Sequence, residues 1–171
     1  DAKGLLATAI NDPNPVLFFE HKALYRSIYG EVPQEYYTLP LGKANRLREG
    51  SRLSVITFGA AVHWAMETLD ELGIVDVDLL DLRSLCPLDT ESIYESVRRT
   101  GKVLLLQEDS LFGGIMADVS ALIAEYCFEH LDAPPKRVGG LETPIPFSRN
   151  LEAGYLPRER FKEALEDLLA Y

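Results

Sequence analysis

The sequence predicts an α/β domain of three layers, in which a mainly parallel sheet of about five strands carries helices on both faces. Short apolar runs, such as residues 53–58 and 103–107, alternate along the chain with segments whose apolar residues follow a helical period. The runs are mainly apolar rather than strictly alternating, which is typical of parallel strands that are buried on both faces. Such alternation of strands and helices implies βαβ units with right-handed crossovers.

The first 45 residues follow a different pattern from the rest of the chain. Residues 1–10 are predicted as the end of a helix, and the turn sequence NDPNP follows at residues 11–15. Residues 16–20 (VLFFE) are predicted as a buried strand, and residues 30–42 are too rich in Gly and Pro for a helix and predict an extended connection. One helix end and one strand cannot form an independent core. We therefore expect this segment to be the tail of a neighbouring domain, followed by a linker.

Residues 46–171 carry the regular alternation. Helices are expected where apolar residues recur at helical spacing, and strands where short apolar runs stand between turn residues. In chain order we predict strand 53–58, helix 59–73, strand 75–82, helix 90–100, strand 103–107, helix 114 to about 129, strand 136–138 and helix 158–170.

The charge of the chain is uneven. The formal net charge is −10, yet residues 1–50 hold six acidic and six basic side chains, so the imbalance lies entirely in residues 51–171. An acidic body argues against nucleic acid and anionic membranes, whose phosphates are bound by Lys and Arg. It suits a basic protein partner, although acidic surfaces also serve solubility alone.

Targeting signals and cysteine spacing favour a cytoplasmic protein. No apolar run approaches the roughly 20 residues of a membrane span, and the amino terminus has neither the basic start nor the cleavage site of a signal peptide. Cys86 and Cys127 stand far apart without metal-ligand spacing. We interpret both as reduced, packed thiols.

Two predicted strand-to-helix joints share part of the pattern of ligand-binding motifs. TFGAAVHW, at residues 57–64, has only one of the three glycines that a dinucleotide site needs. EDSLFGG, at residues 108–114, combines two adjacent carboxylates with a helix start whose free amide groups can hold an anion. We interpret both as structural joints, the acids being favoured by the positive end of the helix dipole. Because His21, His63 and His130 have no Cys, Asp or Ser partner at motif spacing, no self-contained catalytic site is expected.

Two longer segments carry a family resemblance. DLRSLCPLD, at residues 81–89, resembles the DLRSL-x-PLD segment of transketolase C-terminal domains. NPVLFFEHKALYR, at residues 14–26, is similar to NP-x-x-FFEPK-x-LYR of the beta subunits of branched-chain 2-oxo acid dehydrogenases, with His21 in place of the usual Pro. Together with EVPQEYYTLPLGKA, LDAP and the ending YLP…A-Y, the similarity covers nearly the whole chain. It implies that residues 1–45 are the tail of a pyrimidine-binding domain plus a linker, and that residues 46–171 are a transketolase C-terminal-like domain.

The resemblance implies a part of an enzyme that oxidatively decarboxylates 2-oxo acids and transfers the acyl group to lipoyl groups. In this family thiamine diphosphate and Mg²⁺ lie between alpha and beta parts. The glutamate and the histidine that the beta part contributes lie upstream of the segment that matches this chain. The resemblance therefore implies no catalytic and no cofactor-binding residue here, and we expect the isolated chain to be inactive.

Two lesser sites are implied by the same resemblance. The family binds a structural K⁺ partly through backbone carbonyls, at positions that match Ala9, Asp12 and Asn14. It binds the small basic subunit-binding domain of the dihydrolipoyl acyltransferase core through the acidic residue of an L-D/E-AP turn and through the terminal carboxylate, which match Asp132 and Tyr171. The other implied partners are the alpha part and a second beta part of the same component.

Several alternatives remain open at this point. Pyruvate dehydrogenases, acetoin dehydrogenases and other transketolase-like enzymes share most of these segments. A free-standing nucleotide-binding module and a structural homodimerisation module are alternatives from other functional classes.

Overall fold

The computed structural model describes residues 1–171, which form one five-stranded sheet, seven α-helices and one short 3₁₀ helix. The strands are β1 (Asn45–Arg48), β2 (Ser54–Thr57), β3 (Asp78–Asp81), β4 (Val103–Ser110) and β5 (Lys136–Gly140). The helices are α1 (Ala2–Asn11), α2 (Leu24–Ser27), α3 (Ala60–Glu71), α4 (Thr90–Thr100), α5 (Met116–Tyr126), α6 (Arg149–Tyr155) and α7 (Arg158–Ala170), and the 3₁₀ helix is Phe128–His130. None of the helices combines the length and the apolar character that crossing a membrane requires.

The strands follow the order β1-β3-β2-β4-β5 across the sheet. The four strands from β2 to β5 run parallel, and only the edge strand β1 is antiparallel to its neighbour β3. Val55 of β2 pairs with Leu79 on one side and with Leu104 on the other, at the centre of the sheet. The predicted five-stranded, mainly parallel sheet is therefore confirmed.

Helices cover both faces of the sheet, as the fold class requires. Successive side chains of a strand point to opposite faces, so Leu104 and Leu106 join one core cluster while Val103 and Leu105 join the other. The first cluster packs the sheet against α3 and α7 around the fully buried Phe161. The second cluster packs it against α4 and α5.

Helix α4 shows how local sequence sets the limits of an element. Asp89 caps its start, because the Ser92 N–H donates to Asp89 Oδ1 over 3.3 Å. Gly101 ends it in the left-handed conformation, with φ of 68°, and its N–H donates to the Val97 carbonyl. The predicted limits of this helix, and those of α7, agree with the structure.

The prediction of a buried strand over residues 16–20 is wrong. This segment forms no ladder with any of the five strands, and the side chains of Leu17 and Phe19 are 83% and 88% exposed. An apolar run forms a strand only where a neighbouring strand can accept its backbone hydrogen bonds. The residues of this chain place no such neighbour beside residues 16–20.

Three elements, β1, α2 and α6, have no counterpart in the predictions. The edge strand β1 has the polar sequence NRLR, so it lacks the apolar run that indicates a buried strand. Helix α6 has seven residues and buries only Tyr155, so its hydrophobic period is weak.

The residues before β1, called the amino-terminal strap below, lie outside the sheet and contact the rest of the chain through pairs such as Asp1 with Arg83. Helix α1 lies against the connection at residues 30–42, which contains no helix or strand. The Leu39 N–H donates to the Gly4 carbonyl over 3.2 Å, and a β-carbon at Gly4 would collide with the Tyr37 ring. The division into residues 1–45 and 46–171 stays a prediction.

Candidate functional site

Asp132 lies at the end of the sheet where the parallel strands begin, next to the residues that precede β4. Its N–H donates to the Gly101 carbonyl over 2.7 Å. Its carboxylate stands directly over Gly101, because a β-carbon at that position would collide with Asp132 Oδ2. The next residue, Ala133, is buried and anchors the turn. The main chain of Asp132 is thus fixed, while its side chain is exposed and forms no ion pair within the chain.

Tyr171 follows the last turn of α7 at the same end of the sheet. Its side chain is 74% exposed, and the Lys102 Nζ lies 6.0 Å from the centre of its ring. Two basic side chains hold the end of α7: Lys102 Nζ donates to the Leu168 carbonyl over 3.1 Å, and Arg52 Nη2 donates to the Leu169 carbonyl over 3.0 Å. Cations are favoured here because the last carbonyls of a helix carry its negative dipole end.

Asp132 and Tyr171 are linked to adjacent positions of one turn in different ways. Asp132 packs directly on Gly101, whereas only the side-chain Nζ of the adjacent Lys102 approaches the Tyr171 ring. Gly101 and Lys102, which join α4 to β4, are called the α4–β4 turn below. Sequence reasoning missed Gly101, because a glycine after a helical period indicates where the helix ends and not what packs on it. It missed Lys102 and Arg52 because their partners in α7 lie far away in the chain.

The carbonyls expected to bind K⁺ lie at the end of α1. Ala9 is in its last turn, and Pro13, four residues on, has no N–H to occupy the Ala9 carbonyl. Asp12 follows the helix in an extended conformation, and its Oδ1 accepts from the Asn14 N–H over 2.9 Å. One tight turn thus holds Ala9, Asp12 and Asn14.

The two strand-to-helix joints lie at the opposite end of the sheet, where the parallel strands finish. At the start of α5 the Met116 N–H donates to Gln107 Oε1 over 3.0 Å, and Gln107 Nε2 donates to the Ser110 carbonyl. Gln107 thus occupies an amide that an anion would need. In the other joint the side chains of Ala61 and Trp64 are buried in the core. Nowhere do three or more His, Cys, Asp or Glu side chains gather in a way that suits a metal ion.

A contact between two side chains that sequence reasoning missed lies at the same end of the sheet as the two joints. His21 Nε2 is 3.1 Å from Glu108 Oε2, which ties the amino-terminal strap to the end of β4. The two residues are far apart in the chain, so no motif spacing could indicate them. Near them, burial raises the pKa of the Asp81 carboxyl, although the Arg83 N–H and the charges of Arg83, His63 and the amino terminus oppose the shift.

The transketolase C-terminal domain model matches residues 42–160. The chain belongs to this family. Its topology agrees with that membership, and the resemblance of residues 81–89 to transketolase C-terminal domains is confirmed.

Three curated relatives of this transketolase C-terminal domain come from Bacillus subtilis (strain 168). The chain is 44% identical to 2-oxoisovalerate dehydrogenase subunit beta, covering 100% of the chain and 54% of the relative. It is 46% identical to acetoin:2,6-dichlorophenolindophenol oxidoreductase subunit beta, covering 92% and 46%. It is 45% identical to pyruvate dehydrogenase E1 component subunit beta, covering 97% and 51%. The resemblance to beta subunits of 2-oxo acid dehydrogenases is thereby confirmed, and the chain spans about half the length of these relatives.

A solved structure with a similar fold is a split-gene transketolase in the form of an inactive beta4 tetramer. It shares 25% sequence identity with this chain at a TM-score of 0.65, covering 81% of this chain and 47% of that one. This similarity confirms the predicted transketolase C-terminal fold.

The two thiols of this transketolase C-terminal domain differ in their surroundings. Both cysteines are free, but the interpretation of both as packed thiols is wrong for Cys86, which is exposed beside Pro87. Cys127 is buried in the second core cluster. Burial raises the pKa of the Cys127 thiol, and the nearby charge of Arg98 offsets this only in part.

Proposed function

We propose that this chain is the C-terminal assembly and docking part of the decarboxylase component of a 2-oxo acid dehydrogenase complex of the branched-chain type. The observation that carries the proposal is the 44% identity with 2-oxoisovalerate dehydrogenase subunit beta, which extends over 100% of the chain. In the whole component the reaction is the oxidative decarboxylation of a branched-chain 2-oxo acid, with transfer of the acyl group to a lipoyl group.

A pyruvate or an acetoin dehydrogenase is the second candidate. It is favoured by identities of 45% and 46% with the corresponding beta subunits, over slightly shorter parts of the chain. Turnover of the whole component on branched-chain 2-oxo acids, compared with pyruvate and acetoin, decides between the two candidates.

Thiamine diphosphate and Mg²⁺ belong to the whole component in this proposal, and the residues of this chain do not fit them. A diphosphate needs free amide or cationic donors, yet the Met116 amide is already bound by Gln107. Mg²⁺ needs converging carboxylates, and no cluster of three or more suitable side chains exists. We therefore propose that the isolated chain is inactive, and the inactive form of the split-gene transketolase beta tetramer supports this. Where the whole component holds K⁺, we propose the carbonyls of Ala9, Asp12 and Asn14 as part of its site.

Assembly with the alpha part and a second beta part accounts for the apolar surface of the amino-terminal strap. Large apolar side chains of this strap are exposed, notably Leu17, Phe19 and Tyr29. Contiguous exposed apolar surface is typical of protein interfaces. The proposal assigns this strap to contacts within the component.

Docking to the subunit-binding domain of the dihydrolipoyl acyltransferase is assigned to Asp132 and Tyr171. Both side chains are exposed; Asp132 packs on Gly101, and the Nζ of the adjacent Lys102 lies 6.0 Å from the centre of the Tyr171 ring. The acidic charge of residues 51–171 attracts a basic domain. An exposed ion pair contributes only about 0–1 kcal/mol, and a desolvated one at an interface contributes more.

Calorimetric titration of the 171-residue chain with a bacterial subunit-binding domain, at low and at high salt, tests the docking assignment. Asp132→Ala and deletion of Tyr171, which displaces the terminal carboxylate, are expected to weaken binding, and salt is expected to weaken binding of the wild type. Asp118→Ala is the matched control, because Asp118 is an exposed carboxylate in the first turn of α5, at the opposite end of the sheet. Unchanged affinity in both docking variants, or loss of affinity in the control alone, would refute the assignment.

A further inference from the structure

We infer that the α4–β4 turn positions Asp132 and Tyr171 for a basic partner domain. In this inference Lys102 of the turn restricts the position of the Tyr171 ring. The inference rests on the proposed docking function and extends it to residues for which that proposal gives no role. It makes docking depend on the preorganisation of two side chains from different parts of the chain.

The turn is a rigid platform. The Gly101 N–H donates to the Val97 carbonyl over 2.9 Å, which fixes the turn to the end of α4. The Lys102 carbonyl accepts from the Ser54 N–H over 2.9 Å and from Thr100 Oγ1 over 3.0 Å, which fixes the turn to the sheet. Asp132, which packs on Gly101, is therefore held relative to the whole domain, while Tyr171 is linked to the turn through the Lys102 side chain.

Gly101 seats Asp132 in two ways. Its carbonyl accepts the Asp132 N–H over 2.7 Å, and its missing side chain leaves the space that the Asp132 carboxylate occupies. Gly101 also has a positive φ of 68°, a backbone conformation that residues other than glycine rarely adopt. The Asp132 carboxylate thus points to solvent from a fixed backbone and loses little freedom when a partner binds.

Lys102 restricts the position of Tyr171 through a hydrogen bond to α7 and a cation–π contact. Its Nζ donates to the Leu168 carbonyl near the end of α7, and the same Nζ lies 6.0 Å from the centre of the Tyr171 ring. A cation at this distance is weakly attracted to the face of the ring. Lys102 therefore restricts the exposed ring and binds the helix end from which it projects.

The positioning role of Lys102 predicts a change in affinity opposite to the one expected from its charge. A lysine beside a docking surface repels a basic partner, so Coulomb forces alone predict that its removal tightens binding. Positioning predicts the reverse, since Tyr171 and the end of α7 lose a contact. The direction of the change in affinity therefore separates the two roles.

The test is titration of the full chain with a bacterial subunit-binding domain, using Lys102→Met, Lys102→Arg and Arg52→Met. We expect Lys102→Met to raise the Kd about fivefold, the size of one lost cation–π contact. Lys102→Arg retains a cation and a donor, and we expect it to restore both the affinity and the NMR shifts of the Tyr171 ring. Arg52→Met is the matched control, because Arg52 has the same charge and binds the adjacent Leu169 carbonyl without lying over the tyrosine ring.

Each outcome has a distinct meaning, with thermal unfolding confirming that every variant is folded. Weaker binding by Lys102→Met alone, with rescue by Lys102→Arg, supports the inference. Equal or tighter binding by Lys102→Met, while Asp132→Ala binds weakly, overturns the inference and leaves docking in place. Equal losses in Lys102→Met and Arg52→Met reduce Lys102 to a general anchor of α7 and also overturn the inference. Absence of binding by the folded wild type overturns the docking proposal together with the inference.

Discussion

Arg46 of the edge strand β1 forms an ion pair with Asp78, a completely buried carboxylate of the neighbouring strand, over 3.1 Å between Nε and Oδ1. Arg99 of α4 approaches the other carboxylate oxygen at 2.5 Å, and Ser96 Oγ donates to that same oxygen. One buried negative charge is thus shared by two arginines that come from different elements. This network binds the only antiparallel strand and a helix to the sheet.

Asp78→Asn is expected to destabilise the fold by about 1–3 kcal/mol, because Arg46 and Arg99 lose their buried partner while each keeps an exposed carboxylate, Glu95 or Glu49. The substitution keeps the volume of the side chain, so the effect reports the charge and not a cavity. Urea unfolding followed by circular dichroism measures it, as a lower midpoint with an unchanged slope.

Asp70→Asn is the control for this prediction. Asp70 also pairs with an arginine of β1, Arg48, but its side chain is 68% exposed. An exposed pair contributes about 0–1 kcal/mol, so the control is expected to change the midpoint little. Equal losses in Asp78→Asn and Asp70→Asn would contradict the view that burial decides the contribution of each pair.

The same network explains what the sequence could and could not predict. Strands β2 to β5 and their helices follow from hydrophobic period, because the spacing of apolar residues within an element can be read from the local sequence. The polar strand β1 does not, since its arginines gain their partner Asp78 only after β3 has been placed beside them. The reverse error occurs at Leu17 and Phe19, whose apolar character predicts burial although no neighbouring element covers them.

The candidate site shows the same limit. Asp132 and Tyr171 were found through family resemblance, and no spacing rule connects them. They are linked only through the α4–β4 turn, where Gly101 supports Asp132 and the Lys102 side chain reaches the end of α7, which depends on how α7 packs across the sheet. Long-range contacts of this kind leave no trace in the period or the turn chemistry of a single sequence.

Asp81→Asn is expected to stabilise the protein at neutral pH. Burial raises the pKa of this carboxyl in the folded state above its ordinary value, so the folded state binds the proton more tightly than the unfolded state. Stability therefore falls as the pH rises through the interval between the ordinary and the raised pKa. The asparagine carries no charge, and its side-chain oxygen can still accept the Arg83 N–H, which now donates to Asp81 Oδ1 over 3.0 Å.

Thermal unfolding of wild type and Asp81→Asn, compared from pH 7 down to pH 4, measures this effect. The advantage of the variant is expected at pH 7 and to shrink on acidification, as Asp81 becomes protonated in the wild type. Asp118→Asn, at an exposed carboxylate, controls for the change in net charge. A variant that is less stable than the wild type at pH 7 would refute the prediction.

The two cysteines are expected to react at very different rates. Cys86 is exposed and should be alkylated by iodoacetamide in the folded protein. Cys127 is buried, and its raised pKa lowers the fraction of reactive thiolate, so it should react only after unfolding. Mass spectrometry of the labelled peptides, with and without urea, measures both rates, and Cys86→Ser provides a chain in which only Cys127 remains. Labelling of Cys127 in the folded chain at the rate seen in urea would contradict its burial.

The adjacent glycines before α5 are expected to differ in how well they tolerate substitution. Gly113 has a φ of 74° and open space around it, so Gly113→Asn, a residue that adopts this conformation readily, should cost no more than about 0.5 kcal/mol. At Gly114 an added β-carbon would collide with Gln107 Nε2 and with the Ser110 carbonyl oxygen. Gly114→Ala should therefore cost about 1–3 kcal/mol, the range for overpacking a tight site.

Urea unfolding of the two variants separates these effects, and hydrogen exchange at the Met116 amide adds a local readout. In Gly114→Ala the displaced Gln107 no longer holds that amide, so its protection should fall, whereas Gly113→Asn should leave it unchanged. A larger loss of stability in Gly113→Asn than in Gly114→Ala would mean that backbone conformation, and not the space filled by Gln107, determines this joint. The joint would then be less tightly packed than the contacts of Gln107 imply, and the case against an anion at the start of α5 would weaken with it.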